Sequence, residues 1–147
     1  MTNTSDQSTR PPDYGEIPGA LKDATILVAG AAGLAGTQML YRLLCDPIFA
    51  KSIKQVIAII RGETAQKAGA RVPTPLRTCA AINQPAEGQR QEATLTVLNG
   101  DCAKPDFGLE GEQLEVARRA NIVINFAADV RFTLPLSGSV SGVVSAT

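Results

Sequence analysis

Gly30, Gly33 and Gly36, in the stretch AGAAGLAG, have a spacing whose chemistry is the holding of phosphate by bare main chain. Glycine at the first position permits a sharp turn and at the second lets a pyrophosphate approach the backbone. At the third it lets the following helix lie close to the preceding strand. The amides of Gly33, Leu34, Ala35 and Gly36 then open that helix and turn its partial positive charge toward an anion. A plain tight turn is the other reading of three glycines, and the flanking elements decide between the two. No Gly-Lys-Ser/Thr follows, which excludes a nucleoside-triphosphate loop.

Three further groups could complete a dinucleotide site. Arg61 closes the apolar run QVIAIIR, where a dinucleotide-binding domain reads the ribose: an acid there suits the hydroxyls of NAD, an arginine the 2′-phosphate of NADP. The expected cofactor is therefore NADP(H), with NAD(H) as the alternative; a merely solvated arginine is the other reading. Asp101, with Cys102 beside it, follows another apolar run. It reads either as a polar residue closing a strand or as a carboxylate accepting from an adenine amino group. Ala127 and Ala128 are small enough for a nucleotide to lie against their backbone, and a packing role fits them equally.

To stand together, these residues need strands that end beside one another. Thr25 to Ala29 is a short apolar run of the kind covered on both faces in a parallel sheet. After the glycines, Met39, Leu40, Leu43 and Leu44 make a stripe at helical spacing, and the helix should end near Asp46-Pro47. Ile48 to Ser52 reads as a connector. Gln55 to Arg61 is the second strand, so strand, helix and strand are complete by residue 61. Residues 62 to 92 carry Pro73, Pro75 and Pro85 and suggest a short helix near Thr64 to Arg71 within an irregular insertion. Thr94 to Leu98 is a third strand, stopping at Asn99-Gly100-Asp101, with Leu95 and Val97 on one face. Leu109 to Ala120 reads as a helix with acids early and Arg118 and Arg119 late. Asn121 to Phe126 is the fourth strand. The expected fold is α/β, a Rossmann-like parallel sheet of about four strands that forms the N-terminal half of the full sheet.

Composition narrows the function. Fourteen basic residues balance fourteen acidic ones, which gives no electrostatic case for nucleic acid or an anionic membrane. The longest apolar runs are too short to span a bilayer, so no transmembrane segment is expected. The polar, proline-containing N-terminus lacks the anatomy of a secretory signal, and residues 1–21 are expected to be a disordered tail ahead of a partial dinucleotide-binding domain at 22–147. Cys45, Cys79 and Cys102 are odd in number and widely spaced, which suits reduced thiols in the cytoplasm. With no histidine, the 147 residues cannot build a histidine zinc site or a Ser-His-Asp triad.

Taken together, ILVAGAAGLAG, VIAIIRG, NGDCAKPDFGL and ANIVINFAADVRFTLPL resemble the N-terminal part of fatty acyl-CoA reductases, the male sterility NAD(P)-binding group of extended short-chain dehydrogenases/reductases. The resemblance covers about residues 22 to 147, and the segment AADVRFTLPL is its most specific piece. Ala29 stands where the family usually has threonine, and Asn125 where many members have histidine. By this resemblance Gly30, Gly33 and Gly36 form the phosphate turn and Arg61 follows the second strand. Asp101 lies on the adenine side, and Ala127 and Ala128 lie near the nicotinamide-side ribose.

The family's activity is NADPH-dependent reduction of a fatty acyl thioester to aldehyde or alcohol, through a Tyr-x-x-x-Lys pair in which lysine helps tyrosine protonate the carbonyl. Tyr14 is followed four residues on by Pro18 and Tyr41 by Cys45, so neither fits. At residues 143–147 the family's Asn-Val-x-Gly-Thr is replaced by Val-Val-Ser-Ala-Thr. Two behaviours are thus expected: the dinucleotide-binding part of such a reductase, joined by a second polypeptide that completes the sheet, or a truncated, non-catalytic nucleotide-binding module. A carrier-protein thioester reductase or a sugar-nucleotide epimerase shares the glycine turn and is a further alternative.

Overall fold

A computed structural model of the chain describes residues 15–76 and 93–127. The elements run α1 (Ile17–Ala20), β1 (Thr25–Ala29), α2 (Leu34–Cys45), α3 (Pro47–Ala50), β2 (Gln55–Ile60), α4 (Ala65–Ala70), β3 (Thr94–Asn99), α5 (Gly111–Arg118) and β4 (Ile122–Asn125). The four strands form a single parallel sheet in the order β3-β2-β1-β4. The architecture is the expected α/β Rossmann-like sheet with flanking helices.

Beyond Thr25 and Gln55 at their starts, both central strands are apolar throughout because each of their faces is covered. Ile26 and Val28 of β1 and Val56, Ala58 and Ile60 of β2 point to one side, where they meet Leu40, Leu43 and Leu44 of α2. The alternate residues Leu27, Ala29, Ile57 and Ile59 point to the other, with Leu98 of β3, Leu109 ahead of α5 and Ala117 of α5. That period-two division between two cores explains why neither run alternates in the sequence. Burying a leucine such as Leu40 contributes about 1.5–3 kcal/mol, and its helical stripe holds α2 against this face of the sheet. On the sheet edge, Val123 of β4 remains 57% exposed.

Several expectations are corrected in detail. Residues 15–21, expected to lie in the tail, include the helical turn α1, in which the Leu21 amide donates to Ile17 O at 3.1 Å. The connector at 48–52 is the turn α3, for two reasons. Asp46 Oδ1 accepts from the Ile48 amide at 3.0 Å with Pro47 at the first helical position, and Phe49 and Ala50 are buried. The short helix expected near Thr64 to Arg71 is present as α4, capped by Thr64; not expected was that Val72 and Leu76 just beyond it plug the core beside Ala68. The helix read over 109–120 is confined to Gly111–Arg118, because Asp106, Phe107 and Gly108 make a left-handed turn just upstream and Leu109 is extended and buried. The expectations on residues 1–14, 77–92 and 128–147, including those on Cys79 and Ala128, lie outside the described residues.

Candidate functional site

The parallel register brings four strand ends to one edge. Ala29 of β1 pairs with Ile59 of β2 and Asn125 of β4, and Ile60 of β2 pairs with Asn99 of β3. The chain therefore leaves the sheet at Gly30, Arg61, Gly100-Asp101-Cys102 and Phe126-Ala127 side by side, along the carboxyl edge where open α/β sheets bind ligands. Of the candidate cofactor-binding residues, only Ala128 falls outside the description.

The three glycines meet different constraints. Gly30 has φ +70°, and a Cβ there would lie 2.6 Å from the Ala127 amide nitrogen, so the chain leaving β4 packs directly over the turn. A Cβ on Gly36 would strike the Gly30 carbonyl oxygen and lie 2.8 Å from Ala31 Cα. Helix α2 can reach the turn only because that side chain is missing. Thr37 Oγ1 donates to Ala31 O at 3.3 Å and ties the helix back to the same loop. Gly33 differs from both. Its φ is an ordinary −76°, it is exposed, and the nearest atom to a built Cβ is Gly30 O at 3.3 Å. Packing within the protein therefore demands glycine at 30 and 36 and leaves the open side of Gly33 to whatever approaches from solvent.

What approaches would meet donors. Gly33 is the N-cap of α2 and no side chain caps the helix, so the first-turn amides, including those of Leu34 and Ala35, face outward. No acidic residue occupies that first turn. A bare, uncapped helix start beneath a cradle cleared of Cβ atoms fits a dinucleotide pyrophosphate in both shape and charge. Leu34, 85% exposed, stands at this mouth as an apolar side chain left in water.

Arg61 is exposed at the end of β2, and no carboxylate pairs with it among the described residues. Its backbone is held firmly. The Arg61 carbonyl accepts from Arg71 Nη1 at 2.7 Å and the next amide, Gly62, donates to Asn99 Oδ1 at 2.9 Å. A Cβ on Gly62 would lie 2.6 Å from the Ala68 amide, so α4 sits tightly under this loop. Asp101 does close its strand in a local turn: Oδ1 accepts from the Ala103 amide at 3.0 Å, and its own amide donates to Phe107 O at 2.8 Å. The second carboxylate oxygen has no such partner among the described residues.

Cys102 links these loops. Its thiol is half-buried, and burial, the main cause, pushes its pKa above the ordinary thiol value, as does the negative charge of Asp101. The Gly30 backbone, hydrogen-bonding the sulfur, and the charge of Arg61 pull the other way. The thiol thus senses groups from the ends of β1, β2 and β3 together. Four side chains with positioning roles were not singled out for them in the sequence. They are Asn99 and Arg71, which hold the Arg61 loop; Asn125, whose Oδ1 accepts from the Ala127 amide at 2.8 Å; and Asn121, whose Oδ1 accepts from the Thr25 amide at 2.9 Å. Asparagines at both ends of β4 and at the end of β3 were the available signal.

Comparison with known proteins agrees with this geometry. The family model described as Male sterility protein, an NAD-binding domain, matches residues 28–147. The chain belongs to this family. This Male sterility family chain is 33% identical over 118 residues to Peramine synthetase A of Epichloe festucae (strain Fl1), covering 78% of the chain and 4% of that protein. It is 35% identical over 111 residues to D-lysergyl-peptide-synthetase subunit 3 of Claviceps purpurea, covering 74% of the chain and 6% of that protein. The chain thus spans only a small fraction of the length of these relatives. Among solved structures, the terminal R domain of the myxalamid PKS-NRPS pathway superposes with a TM-score of 0.57 at 21% identity, over 90% of the chain and 30% of that domain. The PhqB reductase domain of Penicillium fellutanum gives 0.51 at 20% identity, over 85% and 31%. At these identities the two structures share the fold with the Male sterility family chain.

Proposed function

We propose that the chain is the NADP(H)-binding part of a thioester reductase that acts on an acyl group carried on a carrier protein. The observation that carries the binding half is the open face of Gly33 beneath uncapped α2 amides: the protein's own packing leaves room there and supplies donors. Gly30, Gly33, Leu34, Ala35 and Gly36 would hold the pyrophosphate. Arg61 would pair with the 2′-phosphate, and Asp101 with Cys102 would line the adenine side. Ala127 and Ala128 would lie along the nicotinamide-side ribose. When bound, the dinucleotide supplies hydride; the residues of this chain bind and orient it.

The carrier-bound substrate is supported by the two relatives above 30% identity, one a synthetase and the other a peptide synthetase by name, and by the reductase domains that share the fold, one of them from a PKS-NRPS pathway by title. These relatives favour a carrier-bound thioester over the fatty acyl-CoA that the sequence motifs suggested. The 147 residues contain no Tyr-x-x-x-Lys, so on its own the chain is proposed to bind without turnover, the carbonyl being protonated by residues outside it.

The test is titration with NADPH and with NADH, on the wild type and on Arg61→Ala. Loss of a charged hydrogen bond to the 2′-phosphate is worth about 1.5–3 kcal/mol, or about ten- to a hundredfold in preference. An unchanged preference would remove Arg61 from the site. For the substrate half, NADPH oxidation by the protein containing this chain is compared on carrier-bound thioester and on fatty acyl-CoA. Faster turnover of the CoA ester would return the reading to fatty acyl-CoA reduction.

A further inference from the structure

The loop that carries Arg61 is fastened at a single peptide plane. The carbonyl of Arg61 and the amide of Gly62 are the two polar ends of one peptide unit, and each is taken by a different side chain. Arg71 Nη1, from the end of α4, donates to the carbonyl at 2.7 Å, and Asn99 Oδ1, from the end of β3, accepts from the amide at 2.9 Å. The plane cannot swing outward without breaking one of these bonds. It cannot swing inward, because Gly62 already lies against the Ala68 backbone, where even a Cβ would be 2.6 Å from nitrogen. Fixing this plane fixes the backbone torsion that follows the Arg61 Cα, and with it the direction in which the Arg61 side chain leaves the sheet edge. Arg61 is itself exposed and is held by no carboxylate among the described residues, so the anchoring they give it is through its backbone.

We infer that Asn99 and Arg71 are positioning residues for dinucleotide selectivity: by clamping the Arg61–Gly62 peptide from both ends they aim the Arg61 guanidinium at the 2′-phosphate. This rests on the NADP(H) reading above. A pre-aimed guanidinium loses less freedom when it pairs with phosphate, so the clamp raises affinity for NADPH and leaves NADH, which lacks that phosphate, unaffected. The two clamps should therefore alter the ratio of affinities rather than binding as a whole.

The experiment measures dissociation constants for NADPH and NADH on the full chain in wild type, Asn99→Ala and Arg71→Met, and on each of these in an Arg61→Ala background, with a thermal melt for every variant. Arg71 is exposed, so its substitution tests the idea even if Asn99→Ala weakens the fold. Each single variant is expected to lower the NADPH preference about fivefold, the effect of one ordinary hydrogen bond, with NADH affinity unchanged. Arg71→Lys, which keeps a donor, should restore most of it. In the Arg61→Ala background neither substitution should alter the ratio. If Arg61→Ala abolishes the preference while Asn99→Ala and Arg71→Met leave it intact, the clamp is wrong and the NADP(H) reading stands. If Arg71→Met still lowers the ratio without Arg61, Arg71 touches the phosphate directly and the clamp is overturned. If the wild type shows no preference, or Arg61→Ala keeps it, both readings fall.

Discussion

Gly33→Ala separates a glycine kept for a ligand from glycines kept for the fold. At residue 33 the backbone is in an ordinary extended conformation, φ −76° and ψ 172°, and an added methyl meets only Gly30 O at 3.3 Å, a contact relieved by a shift of a few tenths of an ångström. Alanine is a poorer N-cap than glycine by several tenths of a kcal/mol, while the stiffer unfolded chain returns about 0.4–1 kcal/mol. The net change in stability should be within about 1 kcal/mol of zero. The same methyl stands where a pyrophosphate must come to reach the α2 amides. Loss of one charge-assisted hydrogen bond there, about 1.5–3 kcal/mol, weakens dinucleotide binding about ten- to a hundredfold. Gly36→Ala is the contrast: its methyl collides with the Gly30 carbonyl and lies 2.8 Å from Ala31 Cα, so overpacking should cost about 1–3 kcal/mol of stability as well. The assays are fluorescence titration with NADPH and thermal denaturation of both variants. Full NADPH affinity in Gly33→Ala, or a fall in melting temperature as large as that of Gly36→Ala, would refute the reasoning.

Other consequences can be checked in the same preparations. Leu40→Ala, at a fully buried position under α2, should destabilise by about 2–5 kcal/mol in denaturant titration; a smaller loss would mean that α2 is not anchored there. Asn121→Ala leaves the Thr25 amide without its 2.9 Å acceptor and should cost about 1–3 kcal/mol in the same titration. Because burial raises the Cys102 pKa, alkylation of this thiol should need higher pH than a free cysteine, and bound NADPH should slow it further; mass spectrometry of the alkylated peptide reads both. The folded state holds that proton more tightly than the unfolded one. Its contribution to stability is thus complete below the ordinary thiol range and is lost as pH rises through the folded value, a slope that Cys102→Ala should remove.

The unit from β1 through α2 to β2 was legible because its signals are local. Continuous apolar runs, glycines at fixed spacing and the stripe of Leu40, Leu43 and Leu44 each lie within a few residues, and the strand and helix bounds agree closely with them. Burial of single apolar residues was not legible. Phe49, Val72 and Leu76 sit among polar and proline-rich neighbours, and only the completed sheet offers them a core. The same holds for the polar contacts that shape the site. Asn99 reaches Gly62 across 37 positions and Arg71 reaches Arg61 across 10, and nothing in either local stretch names the partner. Asp101 shows a third case: of its two readings the structure shows the strand-closing one, in which one carboxylate oxygen accepts from the Ala103 amide.

Amide chemical shifts followed during titration with NADPH address the dinucleotide cradle most directly, because the proposed contacts are main-chain N–H groups. The largest shifts should fall on Gly30, Gly33, Leu34, Ala35 and Gly36, with smaller ones at Gly62, Asp101, Cys102 and Ala127 along the same sheet edge. A saturating titration that leaves the amides of residues 30–36 unmoved, or that shifts only residues at the opposite edge, would contradict a pyrophosphate held at the start of α2.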